Sequence, residues 1–575
     1  VTAPAARARP RHRWVFPEPP DPAVVARLVA ELHLPEPICR LLVARGFREI
    51  DGAKLYLRPR LDHLNDPCLM LDLERAVERL RRAITAGERI LIHGDYDVDG
   101  MCSTTLMTRT LRQLGGNVTP FIPRRLEDGY DLGPAGVEAA LRVGATVVVT
   151  CDCGTTAYEP VRALQAAGVD VIVTDHHLPS SGELPPAFAV LNPKRPGCTS
   201  PDRDLAAVGV AFKLALALTR AMGGNENTVL GMLDLVALAT IADIAPLRGE
   251  NRVLARYGLK MLGETHNIGL RALIRATGLE GKPLTSGRVG FILAPRLNAA
   301  GRLGHAIRGV ELLLATNEHD ANAIARELEE LNTRRQEVDH ATLVRARELV
   351  AALDLDETYG IVLAEEGWHP GVIGIVASRI VEEFGRPTVL IALEGNEGKG
   401  SGRSISAFDL HAGLSGCRDL LLRFGGHRSA AGVTIARDRV ADFAQRFNAT
   451  ARERLTRDDL VQELRADLEV TLGELTPQLE SMLRHLEPCG MGNPSPVLVA
   501  RQVRVALPPR VVGREHLKLR LADDAGDEID TIGWGMAPRA TEVEQGSIID
   551  AAFRLERDDW NGEPKLQGRL ADFRA

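Results

Sequence analysis

The sequence predicts an α/β protein in which a parallel-sheet domain is joined by a long helix to a smaller α/β domain, with a strand-rich C-terminal part beyond. Three observations carry that prediction. From about 75 to 245, short apolar runs alternate with helical segments, the pattern of βαβ units and a parallel sheet. From 317 to 353 a charged segment runs without a single Gly or Pro. From roughly 466 to 575, alternating or apolar runs are separated by Asp/Gly turns.

In chain order, strands are expected near 89–95, 118–122, 146–151, 170–175 and 187–191, with helices at 101–114, 134–143 and 158–167. A mostly helical stretch follows from 205 to 275. The segment at 317–353 reads as one long helix of a length that suits a connector between two lobes. A second α/β unit fits 358–455, with strands over 359–364 and 387–393 and a helix at 372–384 between them. The runs at 466–472, 496–505, 516–521 and 548–555 suggest a small β-barrel of the OB type.

Composition narrows the function classes. At 575 residues there is room for three or four domains of about 150 residues. Hydrophobic residues at 45% allow sizeable cores, and aromatics at 4% argue against gripping single strands mainly by stacking. A net charge of −7 advertises no nucleic-acid binding. A carboxylate cluster is neutralised only by its cations, however, so such binding must come from local basic patches. The eight cysteines include no Cys-x-x-Cys pair, which argues against zinc and against a disulfide framework. Cys151 and Cys153 flank Asp152, and strand alternation points them away from the aspartate side as packing residues. No secretory h-region or span of 18 uninterrupted apolar residues appears; Lys213 and Arg220 break the best candidate. A cytoplasmic protein with no membrane partner is expected, with a mobile basic tail over the first dozen residues.

Four acidic clusters hold most of the functional information: the 93–100 segment His-Gly-Asp-Tyr-Asp-Val-Asp-Gly, Asp152, Asp175-His176-His177, and Asp243. Each follows an apolar run, and in open parallel sheets ligands bind beyond the carboxyl ends of the strands. Carboxylates and imidazoles gathered there suit two divalent cations, Mn²⁺ or Mg²⁺. The implied chemistry is metal-assisted hydrolysis at phosphorus. His93, Asp95, Asp97 and Asp99 would share one side if the segment stayed extended. The strand should end near Asp95, with Gly94 and Gly100 letting the backbone turn around ions. An EF-hand is excluded, since position twelve from Asp95 is Leu106 and a strand precedes.

Basic motifs suit a phosphate-rich substrate. From Gly281 to Val310 there is no acidic residue, while Lys282, Arg288, Arg296, Arg302 and Arg308 are cationic. Gly and Asn spacing around Arg296, Asn298 and Arg302 would let backbone approach a ligand. Lys399-Gly400-Ser401-Gly402-Arg403-Ser404 reads as a Gly/Ser turn able to offer N–H groups and a guanidinium fork. His427 in Gly-Gly-His is expected to line the same groove. Arg124 and Arg125, after a strand of the first domain, are further candidates. Ser401, Arg403 and Ser404 are the expected recognition set for a terminal monophosphate, which carries more charge than a diester.

The order His-x-x-x-Asp-x-Asp, Asp, Asp-His-His, Asp resembles the DHH phosphoesterase superfamily and, within it, the RecJ family of single-strand-specific exonucleases. The resemblance spans nearly the whole chain. It includes 122–132, the Pro-Arg-Leu-Asn-Ala-Ala-Gly-Arg of 295–302, the Gly-Trp-His-Pro-Gly run of 367–379, and 400–405, 425–427 and 490–494. The family pattern more often has Gly where Asp131 stands, a departure outside the metal cluster. The resemblance implies a DHH domain, a DHH-associated domain and an OB-like nucleic-acid-binding domain, with boundaries at 1–50, 51–310, 311–356 (connecting helix), 357–455 and 456–575. It implies His93, Asp97 and Asp152 around one metal, and Asp99, Asp152, His176 and Asp243 around the other. Asp95 is either an added ligand or a support. Asp152, His176 and His177 would be catalytic, with His177 facing the scissile phosphate or supporting its neighbour.

The activity implied is two-metal exonuclease cleavage of single-stranded DNA from the 5′ end to mononucleotides, in DNA repair and recombination. A helicase, single-strand-binding protein and a monomeric state are expected from the same resemblance. Two rival readings are a DHH hydrolase of short oligonucleotides or cyclic dinucleotides, and a non-catalytic replication scaffold. The OB-like tail counts against the first, and the full ligand set counts against the second.

Overall fold

A computed structural model describes residues 12–125, 127–179, 183–558 and 565–574; the expected basic tail, His12 apart, lies outside these. The chain forms two compact units. One comprises Pro59–Gln336 with Pro488–Pro494, and the other comprises the chain up to Arg58, Glu337–Glu487 and Ser495–Ala575.

The first unit is built on a five-stranded, all-parallel sheet. Its strands are β1 (Arg89–Gly94), β2 (Asn117–Phe121), β3 (Val147–Cys151), β4 (Asp170–Thr174) and β5 (Ala189–Leu191), in the order β2-β1-β3-β4-β5. Central strand β3 is Val-Val-Val-Thr-Cys and wholly buried, as expected where helices cover both faces of a parallel sheet. Helix α1 (Val98–Gln113) follows β1, and its Leu106 and Met107 join Phe212, Leu214 and Val236 in the main core. Helix α2 (Leu233–Ala242) is apolar apart from Asp234 and Thr240, and it is buried from Leu233 to Thr240. It crosses α3 (Gly249–Gly263) at Gly258, where a Cβ would collide with the Leu233 carbonyl. The predicted connector is one unbroken helix, α4 (Glu318–Ala351), and the division between the units falls within it.

The second unit holds two large sheets besides the short pairing of 13–15 with 463–465. One has strands β6 (Ile361–Glu366), β7 (Thr388–Glu394), β8 (Glu397–Arg403), β9 (Arg423–Gly426) and β10 (Ala430–Ala436), ordered β9-β10-β8-β7-β6. Helix α5 (Ile373–Phe384) makes the crossover between the parallel pair β6 and β7. The stretch read as a Gly/Ser turn is the antiparallel strand β8. Its Gly398, Gly400 and Gly402 face Ile391, Val433 and Leu410, which leave no room for a side chain. Glycine there is a packing requirement, although glycine ordinarily signals a turn.

The C-terminal sheet has seven strands: β11 (Leu468–Glu469), β12 (Leu498–Val505), β13 (Arg510–Val512), β14 (His516–Ala522), β15 (Glu528–Gly533), β16 (Ile548–Asp558) and β17 (Lys565–Arg574). They run β11-β12-β16-β17-β15-β14-β13, and an extra β12–β14 pairing closes the barrel. Residues 12–58 fold with this part. The 13–15 strand pairs with 463–465, and Leu28, Leu41 and Leu42 pack with Leu479 and Leu486.

Candidate metal centre

The metal-site residues of the first unit stand where strands and one helix end. Beyond β1 the chain turns through Asp95, and Asp97 caps α1, its Oδ1 accepting the N–H groups of Asp99 (2.9 Å) and Gly100 (3.1 Å). The helix therefore starts at Val98, inside the motif and three residues before the expected 101. The four alternate residues do not share one side of an extended segment. Neither Gly94 nor Gly100 is left-handed; a Cβ at either would collide, with Thr104 or with the Asp95 backbone. These glycines let α1 lie tight against the strand end, so the backbone turn itself does not need them.

Asp152 follows β3 in a left-handed conformation (φ 65°), and its N–H donates to the Thr174 carbonyl. Asp131 is also left-handed (φ 73°), which accounts for glycine in the related pattern. Its carboxylate accepts the Gly154 N–H (2.6 Å) and the Thr156 hydroxyl (2.7 Å), so it ties the 122–132 loop to the turn that carries Asp152. Asp243 caps α2, and both oxygens of Asp99 accept N–H groups at the start of the 207–221 helix.

Among the described residues, three groups bring ligand atoms within 4.8 Å of one another: Asp95, Asp97 and Asp152; Asp99, His176 and Asp243; Asp152, His176 and His177. Asp152 belongs to two of them. His93 lies in none, although it is fully buried and its ring abuts Gly136. Cys153 Sγ stands 3.5 Å from His93 Nδ1, so this cysteine packs on a site residue and does not turn away from the cluster. The strand ends at Cys151, and the alternation that predicted otherwise stops there.

The site fits cations. His93 Nε2, Asp95 Oδ1, Asp152 Oδ1 and His176 Nε2 are buried without a hydrogen-bond partner, and burying polar atoms in that state is costly unless something else binds them. His176 Nε2 lies 3.3 Å from Asp152 and 3.7 Å from Asp243. Burial and mutual repulsion push Asp95, Asp152 and Asp243 well above the usual carboxylate range, and Asp99 up to about 7. Burial lowers His93 to about 4; burial and then His177 lower His176 to about 3, leaving neutral imidazoles, the metal-binding form. His177 differs. Burial alone would lower it, but Asp175, 2.7 Å from Nδ1, raises it to about 9. Its Nε2 faces the Tyr130 hydroxyl at 3.2 Å. Asp175 and Tyr130 had no role assigned from sequence, although both lie in the quoted motifs.

The cations of the first unit divide. Arg296 is locked bidentately on Glu329 (2.8 and 3.0 Å), and Arg308 pairs with Glu327 and Glu311. The acidic partners come from the Glu-rich connector helix and from Glu311, out of sight in the acid-free 281–310 stretch. Arg124 is held by Glu127 and Asp128. Arg125 lies over the Tyr96 ring (4.6 Å) beside the metal loop. Asn298 and Arg302 share a helix, Ala294–Leu303, whose Gly301 abuts the Tyr96 carbonyl.

In the second unit, Lys399, Ser401 and Arg403 share the face of β8 opposite its core glycines. Arg403 Nη1 donates to Ser401 Oγ (3.1 Å) and the Gly402 carbonyl (2.8 Å). Ser404 spends its hydroxyl on the Phe408 carbonyl. His427 is exposed beyond β9. Across the sheet, Ser401 pairs with Gly432 and Gly432 with Gly425, and a Cβ on either glycine would meet nothing closer than 4.0 Å.

Comparison with known proteins agrees with this layout. Residues 89–240 match the DHH family N-terminal domain, 357–453 the DHHA1 domain, and 466–572 the RecJ OB domain. The single-stranded-DNA-specific exonuclease RecJ of Bacillus subtilis is 37% identical over 97% of this chain and 70% of its own length. The chain belongs to the RecJ family. Two RecJ crystal structures from Thermus thermophilus, complexed with Mn²⁺ and with Mg²⁺, superpose over 98% of this chain. They cover 80% and 79% of those chains, with TM-scores of 0.84 and 0.79 at 35% and 33% identity. No helix among the described residues is long and apolar enough to cross a membrane.

Proposed function

We propose that this RecJ-family chain is a Mn²⁺- or Mg²⁺-dependent exonuclease that degrades single-stranded DNA from its 5′ end to mononucleotides. The observation that carries the reading is the set of buried, unpartnered carboxylate and imidazole atoms at the strand ends. Asp97 and Asp152, with Asp95 and His93 as the remaining donors on that side, would hold one ion. Asp99, His176 and Asp243 would hold the second, with Asp152 shared. When bound there, two such ions would lower the pKa of a water and offset the charge that builds up during an in-line displacement. Asp97, capping α1, and Asp99, in its first turn, would each give a donor to a different site. Asp175 orients His177 and keeps it cationic, which suits it to a phosphate oxygen. Arg125, Asn298 and Arg302 are the candidate phosphate contacts of the first unit, and Ser401 and Arg403 those of the second, with the terminal phosphate as their ligand. A helicase, a single-strand-binding protein, a monomeric state and a cytoplasmic setting belong to the same reading, in repair and recombination.

The test compares end-labelled single- and double-stranded DNA with Mn²⁺ and with EDTA, for the intact chain and Asp152→Ala. Only the single strand should be degraded, only with metal, and the variant should lose several orders of magnitude in rate while still binding the strand. Substantial turnover by rigorously purified Asp152→Ala would refute the site.

A further inference from the structure

Three large exposed side chains adjoin the metal cluster. Tyr130 has its hydroxyl at His177, Leu178 follows His177, and Ile244 follows Asp243; all three are exposed. Ile244 is the least expected of them. It occupies the left-handed region (φ 59°), which β-branched residues avoid, directly after the residue capping α2. Glycine commonly fills that position at a helix end. Its side chain is also 64% exposed, so neither core packing nor the turn calls for isoleucine. Nearby, a π-helical turn, Val289–Leu293, presents Phe291 at 84% exposure, and its Gly290 faces Ile241 of α2. Single π-turns recur at functional sites.

We propose that Ile244, with Phe291 beyond it, forms an apolar grip on the nucleobase attached to the scissile phosphate. This rests on the exonuclease reading and adds a substrate contact to it. A phosphodiester held over Asp152 and Asp243 carries its base one sugar away, into the region that these side chains border. Apolar contact accepts any base, because every base offers a flat face and no hydrogen bond is read. Such a contact fixes the nucleotide's orientation, and hence the line of attack, without selecting sequence.

The test uses the full chain with Mn²⁺ and two 5′-phosphorylated strands that differ only in whether the terminal nucleotide carries a base or is abasic. The intact protein should cleave the first bond at least tenfold faster when the base is present. In Ile244→Gly that ratio should fall to about twofold or less, with the melting temperature unchanged or raised and calorimetric Mn²⁺ affinity retained. Ile244→Asn, which tolerates the left-handed backbone but is polar, should show the same collapse, while Ile244→Val should keep the ratio. A ratio near one in the intact protein, or an unchanged ratio in both Ile244→Gly and Ile244→Asn, overturns the proposal; an apolar protein partner would then be the better occupant. Absence of any Mn²⁺-dependent cleavage by the intact chain overturns the exonuclease reading as well.

Discussion

Single side chains in this protein are settled by their partners, and Arg403 and Asp572 show two ways this happens. Arg403 shares a strand face with Ser401 and donates to its hydroxyl, a ready-made fork for a monophosphate. Arg403→Ala should slow degradation of 5′-phosphorylated strands about tenfold or more, with a much smaller effect on 5′-hydroxyl strands. The ratio of initial rates on the two substrates measures this, and equal slowing would make Arg403 a general backbone contact. Asp572 is buried in the last strand of the barrel. Burial alone would raise its carboxyl, but His12, Trp14 (2.7 Å) and Arg539 (2.6 Å) outweigh that and hold it at about 2. A carboxyl depressed on folding stabilises fully above its unfolded value, near 4. That contribution, about 2 kcal/mol, is lost as pH falls through the folded value. Asp572→Asn should therefore lower the unfolding midpoint at pH 7, and the gap from the intact protein should shrink between pH 4 and pH 2.

At the scale of elements, glycines set how closely helices and strands approach. Gly258 sits where α3 crosses α2, and a methyl group there would meet the Leu233 carbonyl and Ala237. Because α2 ends in Asp243, forcing the helices apart also moves a metal-site carboxylate. Gly258→Ala should cost on the order of 1–3 kcal/mol, as overpacked cores do. It should reduce cleavage beyond what the lost stability explains. Gly263→Ala, at the end of the same helix with nothing within 4 Å, should be neutral or stabilising by about 0.5–1 kcal/mol. Thermal unfolding and Mn²⁺-dependent rates, measured side by side, separate the two effects.

For the whole molecule, the question is how a chain of net charge −7 holds a polyanion. Many of the described arginines are taken: Arg296 and Arg308 pair with acidic residues of the first unit, and Arg501 and Arg520 with those of the second. On the barrel, Arg510 pairs in register with Lys518, and no ion pair of either is found among the described residues. They share a face with His516 and the exposed Trp534, whose rings lie 4.4 Å apart. Replacing both cations with Ala should lower the slope of log binding constant against log salt by about 1.4, at roughly 0.7 per phosphate contact on single strands. Removing the barrel would be a poorer experiment, since the helices at 22–57 pack on its Leu555 and on Leu479 and Leu486.

Much of this was legible in the sequence, for a definite reason. Strand and helix periodicity are local, so the parallel sheet, the long connector and the barrel could be read from apolar spacing. The acidic clusters could be read because carboxylates at strand ends have few structural uses. Where a signal depended on residues distant in sequence, it was invisible. Lys399–Arg403 read as a turn because its glycines answer to Ile391, Val433 and Leu410. Arg296 read as a phosphate ligand because its partner Glu329 lies on another helix. Cys153 read as turned away from the aspartate side because its approach to His93 needs the fold to bring the two together. The sequence by itself determined which elements form and which chemistry they can carry, because both follow from neighbours along the chain. Only the tertiary structure decided which charges stay uncompensated, as in the metal cluster, and which are neutralised, because pairing depends on distances that chain order does not contain.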